Sequence, residues 1–82
     1  MLIIKKVIEF DEAVNYLNQH QITSQYLKAV KYLLAGLIKS VDFKKRQPKS
    51  AKIWSFRVSK KYRAFCYFEH ETLVVFEIND HQ

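Results

Sequence analysis

The sequence predicts an α+β domain in which two N-terminal helices pack on one face of a small, mainly antiparallel four-stranded sheet, in the order β-α-α-β-β-β. Three observations predict it. A β-branched run opens the chain, two stretches follow with apolar residues at helical spacing, and three short apolar runs separated by polar turns complete it. At 82 residues, without a linker, repeat or low-complexity tract, residues 1–82 form a single domain around one core.

Leu2 to Ile8 reads as a strand because Ile3, Ile4, Val7 and Ile8 favour extended backbone and no turn residue interrupts them. Asp11 offers an N-cap, and Phe10, Val14 and Leu17 give one apolar stripe over a short helix that fades near Gln19 to Gln21. Thr23 or Ser24 restarts the pattern. Tyr26/Leu27, Val30, Leu33/Leu34, Leu37/Ile38 and Val41 recur at amphipathic helix spacing, which predicts a second helix reaching Val41. Gly36, the one glycine, then lies inside a helix at a cost of roughly 1 kcal/mol relative to alanine, which predicts a close approach to another backbone. Residues 42–51, with Pro48 and several lysines, form a loop that crosses back.

Ile53 to Val58, Tyr62 to Glu69 and Leu73 to Ile78 then read as an antiparallel meander. With a three-residue loop at each turn, Arg57 pairs with Arg63, and Arg63 with Asn79. Side-chain alternation then puts Arg57, Arg63, Phe65, Tyr67, Val75, Glu77 and Asn79 on one face. Trp54, Phe56, Val58, Tyr62, Ala64, Cys66, Phe68, Val74, Phe76 and Ile78 form the other, apolar face, which the helices cover.

Apolar residues make up 49% of the chain and aromatics 15%, which excludes disorder despite the charge. Cys66 is the lone cysteine, so no intramolecular disulfide forms, and no Cys/His cluster has zinc spacing. No metal or cofactor is expected. Two lysines break the N-terminal apolar run too early for a signal peptide or membrane span, so a cytoplasmic, membrane-free protein is expected. The net charge is +6, and ten of the fourteen basic residues lie between Lys39 and Arg63, where Asp42 is the single acid. Such segregation points to nucleic acid or an acidic partner.

Arg63 stands between the apolar residues of two strands, where a guanidinium is costly unless an anion, a partner or water meets it. The segments Trp54-Ser55-Phe56-Arg57-Val58 and Tyr62-Arg63-Ala64-Phe65, with the terminal Ile78-Asn79-Asp80-His81-Gln82, carry a resemblance. In their order and spacing they resemble the RelE/ParE superfamily of bacterial type II toxins, and the YoeB and HigB branches in particular.

The resemblance implies a toxin that cleaves mRNA in the ribosomal A site and is held inactive by a cognate acidic antitoxin; the ParE branch poisons DNA gyrase instead. It implies catalytic roles for Arg63, on the scissile phosphate, and for His81, as general acid or base. It also implies RNA-backbone contacts by lysines of the 44–52 loop, here Lys44, Lys45, Lys49 and Lys52 with Arg46, and makes Arg57 a second phosphate contact. Lys60 and Lys61 extend this basic RNA-binding set. Phe65, Tyr67 and Val75, on the open sheet face beside these charges, are the expected antitoxin contacts.

The chemistry stands without the family. Cleavage of RNA by its own 2′-hydroxyl needs a proton acceptor, a proton donor and cations for the charge growing on phosphorus, and no metal. Histidine and arginine supply such groups. The chain departs from the YoeB pattern in two places: lysines, Arg46 and Asp42 stand where a glutamate is used, and Gln82 rather than tyrosine follows His81. The general base is therefore unassigned, and a gyrase poison or a non-catalytic RNA-binding module are the alternatives.

Overall fold

A five-stranded mixed sheet carries both helices on one face in a computed structural model that describes residues 3–80. Its strands lie in the order β1 (Lys6–Glu9), β5 (Thr72–Asn79), β4 (Arg63–Glu69), β3 (Trp54–Arg57) and β2 (Lys44–Lys45). β1 runs parallel to β5, and the remaining pairings are antiparallel. The α+β class is as expected, but the sheet has a fifth strand inside the lysine-rich loop. Two lysines show no alternation and little strand propensity, so the sequence hides β2; at an edge the same lysines discourage further pairing.

Helix α1 (Asp11–Gln19) buries Ala13 and Leu17. Phe10 takes its cap position, so Asp11 and Glu12 sit in the first turn, where their charge meets the positive end of the helix dipole. Helix α2 (Thr23–Leu34) buries Tyr26, Ala29 and Leu33 and stops well short of Val41. Gly36 is the reason. Its φ of +80° ends the helix, its N–H donates to Leu33 O at 3.1 Å, and Leu37 N–H donates to Tyr32 O at 2.9 Å, the paired bonds of a Schellman cap. Nothing lies within 4 Å of where its Cβ would be, so backbone conformation, not close approach, selects glycine. A 3-10 turn (Ile38–Val41) follows and ends at Asp42, itself left-handed at φ +49°.

The meander keeps the expected pairs Arg57 with Arg63 and Arg63 with Asn79. Between them and the far turn, however, the register slips. Glu69 pairs with Thr72 across a two-residue turn, and His70 takes a φ of +59° there. Phe65 pairs with Glu77 but Cys66 with Val75, so Phe76 has no partner and forms a bulge. The shorter turn and the bulge cancel at the Arg63 end and leave the first half of β5 inverted. Leu73 and Val75 therefore join the helix-covered core, while Val74 pairs with Tyr67 and the Phe76 ring lies 6.0 Å from the Tyr67 ring. The expected placement of Val75 on the open face, and of Val74 and Phe76 beneath the helices, is corrected by this one-residue slip.

Phe56, Ala64, Cys66, Leu73 and Val75 are fully buried, with Tyr26 and Leu33 closing the core from α2. Tyr26 Oη donates to Glu9 Oε2 at 2.7 Å, tying α2 to β1; burial and then this bond push the phenol pKa up. Burial pushes the Cys66 thiol up to about 12, so it packs as an inert apolar group. At the β2 edge Phe43 stacks on Trp54 at 4.9 Å, and Phe68 meets Trp54 edge-on at 5.8 Å.

Candidate nucleic-acid interface

Arg63 opens β4 and points from the sheet face opposite the helices, yet it is only 6% exposed. A buried guanidinium needs anions and acceptors, and three contacts supply them. Nη1 lies 3.1 Å from Asp42 Oδ2, Nη2 donates to the Asp42 carbonyl at 3.0 Å, and Nη2 donates to Ser55 Oγ at 3.0 Å. Nε is buried with no partner among the described residues.

The left-handed turn after the 3-10 segment delivers Asp42. Both its carbonyl and its carboxylate then face one guanidinium, and Lys44 Nζ reaches the same carboxylate at 3.5 Å. The Asp42 side chain stays 42% exposed. Partial burial is the largest single influence on its carboxyl and works against ionisation; the Lys44 charge and the Arg63 hydrogen bond and charge outweigh it and hold the pKa below the usual carboxylate value. Glu77, on the neighbouring strand, accepts from Asn79 Nδ2. Arg63 is thus paired with Asp42, far in sequence, not with Glu77 on the next strand.

Around this buried pair the structure brings part of the expected basic set together. Lys44 shares its pleat with Ser55, and the Arg46 guanidinium lies 5.6 Å from the centre of the Phe65 ring. Tyr67 lies beyond Phe65 on the same strand face, half-buried. Arg57 is exposed and lines a shallow cleft with Ser40 and with Lys28 and Tyr32 of α2.

Other members of the set are elsewhere. Lys45 pairs with Trp54 and lies 5.9 Å from its ring, on the helix side of the sheet. Lys49 and Lys52 are exposed in and after a short 3-10 turn (Lys49–Ala51). Lys60 and Lys61 occupy the β3–β4 turn, with Lys61 Nζ 5.4 Å from the Tyr62 ring. Val75 is in the core. His81 lies outside the described residues.

Sequence reasoning missed two features. Asp42 was visible as the single acid in a basic run, but nothing local tells which base it meets. The second is an aromatic corner: His20 stacks on Tyr16 at 3.9 Å, and Tyr62 meets both rings edge-on at 5.5 and 6.0 Å. Burial, then the charges of Asp80 and Tyr62, raise the Tyr16 pKa.

Among the described residues no helix is long and apolar enough to cross a membrane. Comparison with known protein families and with curated proteins found no match.

Proposed function

We propose that this chain is the toxin of a type II toxin–antitoxin pair, acting in the cytosol as a ribosome-dependent mRNA endonuclease that arrests translation. The observation that carries this reading is the Arg63 guanidinium, seated among Lys44, Arg46, Ser55 and Phe65 on the sheet face the helices leave uncovered. Cations with an aromatic ring among them suit single-stranded RNA, whose phosphates take the charges and whose bases stack. The order of elements, strand, two helices, basic loop and meander, agrees with the resemblance.

Asp42 is then the internal anion of the site. A phosphate reaches Arg63 by replacing the Asp42 carboxylate, which is half exposed and exchanges one anion for another on the same fork. With its pKa held low, Asp42 is a weak proton acceptor, so this role falls to another group. His81 is proposed for proton transfer and Arg63 for the charge developing on phosphorus.

Induced expression without a partner tests the proposal. Growth arrest with stalled translation and cuts inside translated transcripts is the expected result. Arrest with intact transcripts and a DNA-damage response selects the gyrase reading, and undisturbed growth overturns both.

A further inference from the structure

Helix α2 carries apolar residues on two stripes, and the fold uses one of them. Tyr26, Ala29 and Leu33 face the core. Leu27 and Leu34, a heptad apart, lie outward and are 54% and 47% exposed. Past the Schellman cap, Leu37 is 51% exposed. Between α2 and this turn runs an open groove of about 690 Å³, lined by Leu27, Tyr32, Ala35 and Leu37, with Lys28 and Lys31 on its rim. A helix packed on one side only needs a single stripe, so the second stripe is surface without a covering partner among the described residues.

We propose that this groove seats an amphipathic helix of a separate acidic protein, its apolar side chains over Leu27, Tyr32 and Leu37 and its carboxylates against Lys28 and Lys31. Charge decides the occupant. A second copy of a chain with net charge +6 would bring lysines against lysines, whereas an acidic helix pairs with both. The inference rests on the toxin reading only in giving that partner the role of antitoxin, and it moves the partner from the sheet face to α2.

A designed helical peptide with leucines at heptad spacing flanked by glutamates, and its counterpart with lysines for glutamates, probe the groove by fluorescence anisotropy and amide chemical shifts. The glutamate peptide should bind on the order of tenfold tighter than the lysine peptide, with shifts centred on residues 27–37. Leu27→Asp, a change at an exposed site, should weaken it by a similar factor while melting stays unchanged. The double variant Lys28→Glu/Lys31→Glu should reverse the peptide preference, which keeps the test open even if Leu27→Asp unfolds. Equal affinity for the two peptides, or shifts centred on Phe65 and Tyr67, would overturn the proposal. So would dimerisation that Leu27→Asp abolishes. Peptide binding is read on the purified chain, independently of whether expression arrests growth.

Discussion

Arg57 and Arg63 are register partners on neighbouring strands, and they live in opposite environments. Arg63 is buried against Asp42 and Ser55, while Arg57 stands exposed at the sheet edge. Strand position is nearly the same for both, so it does not set their fate. What differs is the supply of anion: the turn after the 3-10 segment carries Asp42 to Arg63, whereas Arg57 shares its cleft with another cation, Lys28. One arginine is held, and the other is available to solvent and ligand.

Substituting the two arginines should separate these roles. Arg63→Gln removes an ion pair and two further acceptors from a buried site; Asp42 keeps much of its solvation, so the loss should be about 1–3 kcal/mol in urea unfolding. Arg57→Gln should change stability by less than about 0.5 kcal/mol, yet lower the salt dependence of single-stranded RNA binding by roughly one unit of slope. Equal stability losses would erase the distinction. A folded Arg63→Gln variant that still stops growth would remove Arg63 from the proposed mechanism.

Much of this arrangement was legible in sequence. Periodicity placed both helices and the meander, and parity brought Arg57, Arg63 and Asn79 into register. The arginine end came out right although the His70 turn is a residue shorter than expected, because the Phe76 bulge restores the count; Val75 was misplaced because the bulge has no composition signal. The Arg63–Asp42 pair was not legible, since a contact between residues so far apart depends on where α2 stops. Gly36 decides that, and a lone glycine in an apolar pattern reads equally as a packing site or a cap.

Gly36→Ala tests that link by the sign of its effect. In a helix interior alanine would stabilise by roughly 1 kcal/mol. At φ +80° it should instead destabilise by about 1 kcal/mol, with no steric clash to add to it. A gain in stability would mean that α2 runs on through Gly36, and the path that delivers Asp42 to Arg63 would have to be redrawn.

The effect of Asp42 on acid stability is small, and it bears most directly on how Arg63 is held. The native carboxyl titrates below its ordinary value, so ionised Asp42 favours the folded state. That contribution is fully present above the unfolded pKa of about 3.9 and is lost as pH falls through the lower native value. With the carboxylate half exposed it should amount to no more than about 1 kcal/mol. Asp42→Asn should therefore be less stable than wild type at pH 7, and the two urea midpoints should converge as the pH drops below about 4. The variant removes the internal anion from Arg63 and keeps the backbone carbonyl contact, so its affinity for single-stranded RNA at neutral pH should rise as its stability falls. Urea midpoints that stay parallel down to acid pH would show that the pairing adds nothing to folding. An unchanged RNA affinity would show that the Asp42 carboxylate does not occupy a phosphate seat.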